Sequence, residues 1–332
     1  MKLGADLFSL RFNHWNAIES LEYANKIGLD AVMYPDPTFL DSLETDYLAQ
    51  VKTKADKLGM DIQLGMDSIC ETSTRFSADR GSAVEQLRAM LIAASQLGSP
   101  VLRCLLGSNA DRHTAVPFKQ HVQNTIDALQ AVRDQAMDLG IMLALENHAG
   151  DMLGYELKAL VEAAGTDFVS VCIDAGNPLW VGESPFVTLD HVAPYVATSH
   201  IRDTAVWAHP KGAVAQWVAM GDGNIGIEDW SRRYMESCPN TVFMLEIIST
   251  LPPKVLNYLE AAYWTTYADQ PAGEFAQFLA LVENGEPYTN PAVTANWGAI
   301  TPELEAAMAA QQRSNMEKSV TFCKEQLGLG EG

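Results

Sequence analysis

Ile141-Met142-Leu143-Ala144-Leu145-Glu146 is a short apolar run that ends in a carboxylate, and it is one of four such runs. Val169-Ser170-Val171-Cys172-Ile173-Asp174, Tyr195-Val196-Ala197-Thr198-Ser199-His200 and Thr241-Val242-Phe243-Met244-Leu245-Glu246 repeat the arrangement. Each reads as a buried strand, because a brief continuous apolar stretch suits a sheet covered on both faces. Stability alone gives a buried strand no reason to end in an unpaired acid or imidazole, since burying such a group is costly. Four such ends brought together would hold a divalent cation.

Upstream, an amphipathic segment repeatedly ends in an apolar residue plus glycine and is followed by a strand-like run. The pattern occurs at Lys26-Ile27-Gly28-Leu29-Asp30-Ala31-Val32, at Lys57-Leu58-Gly59-Met60-Asp61-Ile62-Gln63-Leu64 and at Gln96-Leu97-Gly98-Ser99-Pro100-Val101-Leu102. It returns at Asp138-Leu139-Gly140-Ile141-Met142-Leu143 and Ala163-Ala164-Gly165-Thr166-Asp167-Phe168-Val169. Each glycine reads as a helix stop that feeds a strand. Ile18, Leu21, Ala24 and Ile27 fall on one helical face. Strands are expected near 3–9, 30–34, 61–66, 100–105, 141–146, 169–174, 195–200 and 241–246.

Eight βα units in roughly 250 residues predict an α/β fold, a (β/α)8 TIM barrel. A doubly wound sheet is the rival, but no Gly-x-Gly-x-x-Gly turn follows the first strand. Residues 1–250 are read as the barrel catalytic domain and 251–332 as a C-terminal helical extension. Tyr258, Tyr263, Trp264 and Tyr267 open that extension, with helices expected near 272–284 and 302–325. It is expected to pack on the barrel or on a neighbouring subunit, in a homo-oligomer or a complex with a second subunit.

Composition narrows the function classes. An apolar content of 48% over 332 residues supports a sizeable core, and no apolar stretch is long enough to span a bilayer. The opening Met1-Lys2-Leu3-Gly4-Ala5-Asp6 carries an early acid and no long apolar segment, unlike a signal peptide. Cys70, Cys104, Cys172, Cys238 and Cys323 are scattered and odd in number, which reads as reduced thiols in a cytoplasmic protein. A net charge of −20 opposes binding to a nucleic acid backbone or an anionic membrane. The expectation is a soluble acidic enzyme with a small-molecule substrate.

Parallel barrel strands open on one rim at their C-terminal ends. Glu146, Asp174, His200 and Glu246, at the ends of strands five to eight, therefore converge. Three carboxylates and one imidazole suit one hard or borderline divalent ion, Mn²⁺ or Mg²⁺ first and Co²⁺ or Zn²⁺ next. His148 lies two residues beyond Glu146 and shares its face while the strand persists. It would act there as a general base; the alternative is a loop histidine bonded to backbone.

Candidate substrate contacts are Arg103 late in strand four, Asn177 and Trp180 after Asp174, and Asp203 after His200. His14 after strand one and Glu71 after strand three complete the set. A structural ion pair for Arg103 and core packing for Trp180 are the alternatives. Asp203 could instead orient a metal ligand. Gly221, Gly223 and Gly226 could cradle a phosphate, but no basic partner accompanies them, so a non-phosphorylated substrate is expected.

With these residues in view, the chain resembles the xylose isomerase-like barrel superfamily over roughly residues 1–250, especially sugar isomerases and epimerases of the tagatose 3-epimerase type. The resemblance rests on the strand-end quartet and on Ile173-Asp174-Ala175-Gly176-Asn177, Ser199-His200-Ile201-Arg202-Asp203 and Gly221-Asp222-Gly223-Asn224-Ile225 followed by Asp229-Trp230. It implies one divalent metal on Glu146, Asp174, His200 and Glu246. It further implies an enediolate formed from a metal-held carbonyl and its adjacent hydroxyl, with Glu146 and Glu246 exchanging protons on opposite faces.

Leu145-Glu146-Asn147-His148-Ala149-Gly150, and Leu245-Glu246-Ile247-Ile248-Ser249 with Tyr263-Trp264, look more like a lyase branch. That branch includes 3-oxoisoapionate decarboxylases and the barrel subunits of C-glycoside deglycosidases. The function expected first is a sugar isomerase or epimerase acting on a keto-sugar or 3-oxo carbohydrate. A lyase on the same scaffold comes second and a non-catalytic carbohydrate-binding subunit third. A nuclease of the endonuclease IV type would need a richer histidine cluster and a basic face, and this acidic chain offers one histidine in the quartet.

Overall fold

The computed structural model describes residues 1–296, 298 and 300–330. The central sheet begins with β1 (Leu3–Asp6), β2 (Ala31–Tyr34), β3 (Asp61–Ser68) and β4 (Val101–Leu105). It continues with β5 (Met142–Glu146), β6 (Val169–Asp174) and β7 (Val196–His200). A hairpin of β8 (Asp203–His209) and β9 (Gly212–Val218) then precedes the eighth barrel strand, β10 (Phe243–Leu245). The barrel strands are all parallel, in the order β10-β1-β2-β3-β4-β5-β6-β7. A bridge between Ile201 and Leu245 joins the two ends. The Ile201 N–H donates to the Met244 carbonyl at 2.8 Å and the Glu246 N–H to that of Ile201 at 2.9 Å. The fold is a TIM barrel.

Helices α1 (Ala17–Lys26), α2 (Thr45–Leu58), α3 (Ala83–Leu97) and α4 (Phe118–Gln130) surround the first half. α5 (Arg133–Leu139), α6 (Gly154–Ala164), α7 (Pro185–Val192) and α8 (Ile227–Ser237) surround the second. Every residue of β2 and β4 is buried, because helices cover one face and the barrel interior the other. Local chemistry sets the helix ends. Asn16 and Glu19 form a reciprocal capping box on α1, as do Ser82 and Glu85 on α3. Gly59 and Gly98 close α2 and α3 at φ of 68° and 72°, a conformation that a side chain disfavours.

Two expectations need correction. Strand one ends at Asp6 instead of running to residue 9. The Asp6 carboxylate accepts the Phe8 N–H at 2.9 Å and starts a 3-10 turn over Leu7–Asn13. The eight-strand reading also omits a second sheet, in which β11 (Lys254–Leu256) and β8 both pair antiparallel with β9. Alanines at 205, 208, 213 and 215 weaken the alternation that marks such a hairpin.

Three further helices follow: α9 (Ala261–Thr266), α10 (Ala272–Glu283) and α11 (Pro302–Leu327). α11 packs on the Leu7–Asn13 turn and on α8. Gln312 accepts the Phe12 N–H at 3.1 Å and Arg313 pairs with the side chain of Asn13. Among the described residues no helix is long and apolar enough to cross a membrane.

Candidate active site

Glu146, Asp174 and His200 are the last residues of β5, β6 and β7, and Glu246 follows β10 directly. The barrel therefore turns all four toward one point. Each can offer one ligand atom, and those atoms lie within 4.8 Å of one another. Glu146, Asp174 and His200 are fully buried and Glu246 is 5% exposed. The His200 Nδ1 is 3.2 Å from Glu146 and 3.5 Å from Glu246, while its Nε2 lies 3.5 Å from the Asp6 carboxylate. Cys172 joins an alternative cluster with Glu146 and His200, but burial pushes its thiol well above the usual range and keeps it protonated.

Two buried arginines balance these acids. Arg103 donates to Glu146 from Nε at 2.5 Å and to the Met66 carbonyl from Nη1 at 3.2 Å. The Arg202 guanidinium bridges Asp174 and Glu246. Burial works to raise the Glu146 carboxyl, but Arg103 and His200 together hold it well below the carboxylate range. At Asp174 burial dominates and the carboxyl is raised despite Arg202. Asp174 is further fixed by the N–H groups of Gly176 and Asn177, at 2.6 and 2.7 Å. Asn147 pairs with the backbone of Asp174 in both directions, at 2.8 and 2.9 Å. The Asn177 amide donates to Glu146 at 3.2 Å.

A cavity of about 440 Å³ opens above the quartet. Arg103, His148, Asn177, Trp180, Arg202 and Glu246 all line it. The His148 Nδ1 is 2.6 Å from the Gly107 carbonyl, which can only accept, so Nδ1 carries the proton and Nε2 is left as a base. Burial, opposed by the Glu146 charge, pushes the imidazole down to about 4, so it is neutral at pH 7. Trp180 stacks on Trp217 with ring centroids 4.3 Å apart, and the Arg202 guanidinium lies 4.1 Å above the Trp217 ring. Gly176 lets these groups approach. A Cβ there would lie 2.6 Å from the Arg202 side chain and 2.8 Å from the Trp217 indole nitrogen.

Three of the proposed contacts lie elsewhere. His14 is exposed and pairs with Glu305 at 2.9 Å, because the turn after Asp6 carries it toward α11. Glu71 accepts the Ala83 N–H at 2.9 Å at the start of α3 and lines no part of the cavity. Asp203 accepts from the N–H groups of Thr204, Gly221 and Gly223 at 2.8 to 3.0 Å, so its role is to fasten the glycine loop. The Gly221 and Gly223 donors are thereby engaged by Asp203 and not free for a phosphate. Trp217 was missed for want of the hairpin, and Asp6 because a single acid after a four-residue strand carries no local signal.

Residues 21–266 match the sequence model of a family described as xylose isomerase-like TIM barrel. Curated proteins give no match. Among solved structures, a D-psicose 3-epimerase from Clostridium cellulolyticum H10, crystallised with D-tagatose, is 14% identical. The alignment covers 85% of this chain and 96% of that one, with a TM-score of 0.59. A 3-keto-D-glucoside 4-epimerase from E. coli is also 14% identical, over 81% of this chain and 98% of its own, with a TM-score of 0.57. The IolI protein with a bound zinc atom is 16% identical, over 85% and 96%, with a TM-score of 0.56. At these identities the likeness is one of fold.

Proposed function

The chain belongs to the xylose isomerase-like TIM barrel family, and on that footing we propose that it is a divalent-metal-dependent enzyme acting on a keto-sugar or 3-oxo carbohydrate. Its first reading is a sugar isomerase or epimerase. The observation that carries this is the buried quartet of Glu146, Asp174, His200 and Glu246, four ligand atoms within 4.8 Å. The donor set fits a divalent cation. It is oxygen-rich, three buried carboxylates around one imidazole, with the His200 Nδ1 3.2 Å from Glu146 and 3.5 Å from Glu246. The neighbours' names support the substrate class, since sugar epimerases recur among them.

The bound ion would supply Lewis acidity toward a carbonyl and its adjacent hydroxyl. The remaining tasks fall to this chain's residues. Arg103, Arg202 and Asn177 hold the carboxylates in place and offer donors to substrate oxygens. Glu246 faces the cavity and is placed to remove or return the proton on a carbon beside the carbonyl. Exchange on opposite faces of the sugar by Glu146 and Glu246 would give epimerisation.

One observation favours the lyase as a second reading. Arg103 pins Glu146 outside the cavity lining, whereas the His148 Nε2 is a neutral base on the cavity wall. A pair of proton-transfer groups, Glu246 and His148, suits removal of the proton beside a carbonyl with loss of an aglycone, or delivery of a proton to the enolate left when a 3-oxo acid loses carbon dioxide. Incubating protein loaded with Mg²⁺ or Mn²⁺ in D₂O with ketoses, 3-oxo glucosides and 3-oxo sugar acids separates the readings by NMR. Deuterium beside the carbonyl of recovered sugar marks the isomerase or epimerase, and release of carbon dioxide or aglycone marks the lyase. Absence of both, with the metal measured in place, would refute the proposal.

A further inference from the structure

A second cleft, of about 240 Å³, adjoins the central cavity and shares Asn109 and Trp180 with it. Its walls include Lys254, Asn257, Tyr263 and Tyr267. Trp180 and Asn109 thus form a wall common to both spaces. β11 pairs Lys254 with Ala215 on β9, two residues before Trp217. That pairing builds a column in which the Lys254 ammonium sits 3.8 Å from the Trp180 ring, Trp180 stacks on Trp217 and Trp217 carries Arg202. The column runs from the quartet to the outer cleft with a cation at each end.

The two cations differ in one respect. Arg202 is neutralised by Asp174 and Glu246. Lys254 has no ion pair and no side-chain hydrogen bond among the described residues, in a chain whose net charge is −20. Among the described residues Glu260 is the one carboxylate lining the outer cleft, and Lys211 engages it at 3.0 Å. The aromatic face of Trp180 stabilises the ammonium but satisfies none of its three donors. Burial lowers Lys254 to about 8, so it is still charged at pH 7. The side-chain oxygen of Asn257, on the same wall, is buried without a partner. The tyrosine hydroxyls are already committed, that of Tyr263 to the Val181 carbonyl at 2.7 Å and that of Tyr267 to the Gly150 carbonyl at 3.4 Å. A charged donor thus stands without a counter-charge in a cleft whose aromatic and apolar walls also carry Asn109, His113, Thr266 and the Lys211-paired Glu260.

We propose that the outer cleft is a second subsite, which takes a carboxylate-bearing unit attached to the sugar held in the central cavity, with Lys254 as its counter-charge. This rests on the carbohydrate reading of the central cavity and adds a substrate class to it: a glycoside whose second unit is acidic.

Calorimetry on the Mg²⁺-loaded full chain tests it, with phenyl β-D-glucoside, 4-carboxyphenyl β-D-glucoside and benzoate as probes. The carboxylated glucoside should bind on the order of tenfold tighter than its parent, the usual effect of a hydrogen bond to a charged group. Lys254→Met, which keeps the side chain's length and apolar contact, should remove that preference, and Lys254→Arg should retain it. Circular dichroism checks that both variants are folded. Equal affinities in the wild type, or a preference that survives Lys254→Met, would overturn the subsite and leave the carbohydrate reading standing. Lys254-dependent binding of benzoate with neither glucoside bound would support the subsite and count against the sugar reading. Failure of all three probes would overturn the subsite.

Discussion

Glu246 is the quartet carboxylate that reaches the cavity, so one side chain is asked both to hold a cation and to move a proton. Glu246→Gln keeps the shape and removes charge and basicity. Turnover should fall below detection while the circular dichroism spectrum is unchanged; normal turnover in the folded variant would remove Glu246 from the mechanism. His148 separates the two reactions. If it is a base, His148→Asn should lower turnover by roughly 10²–10⁴-fold, the usual worth of a positioned general base. Metal content should persist, because His148 lies outside the quartet. A decrease of less than about tenfold would assign the proton transfers to the glutamates. Loss of metal would instead make His148 a ligand and break the quartet assignment.

The loop after β6 and the hairpin after β7 meet at Gly176, where no space is left for a methyl group beside Arg202 and Trp217. Gly176 has an ordinary backbone conformation, with φ of −98°, so any effect of Gly176→Ala comes from this contact. The variant should lose about 1–3 kcal/mol of stability by overpacking, together with activity. Unfolding in urea and a turnover assay measure the two, and an unchanged protein would show that Arg202 yields freely. The same pair of elements marks what could be read beforehand. The barrel strands were legible because each is a local apolar run, and the quartet because each member ends such a run. Lys254, Trp180, Trp217 and Arg202 were not legible together. Their association depends on strand pairing between residues 215 and 254, and no single stretch of chain contains that information. His14 misled because strand length, not residue type, decides where a rim residue points.

Among the described residues, burial makes Asp6, Asp151, Glu183 and Asp203, all outside the quartet, resist ionisation. Burial raises Asp151 and Glu183 to about 8 and Asp203 to about 7, although each accepts backbone N–H donors that partly oppose the shift. An unfolded chain titrates these groups near 4. Between the two values the folded chain binds more protons, so stability falls as pH rises through this window. It is fully present below the unfolded value and lost above about 8. The melting temperature should therefore drop between pH 5.5 and 8.5, and Glu183→Gln should narrow the drop. A flat or rising profile would count against these shifts.

The packing of α11 on the Leu7–Asn13 turn has a further consequence, for the order in which the chain is made. Phe12 and Gln312 stand 300 positions apart, and Gly330 donates to the Met1 carbonyl at 3.4 Å. A ribosome releases the Leu7–Asn13 turn, whose Phe8 lines the cavity, long before the helix that braces it. All eight barrel strands and the hairpin can assemble meanwhile, so the mouth of the site is among the last parts to settle, when residues 302–327 emerge. A nascent chain stalled short of that helix would hold a formed barrel around an entrance still missing its brace.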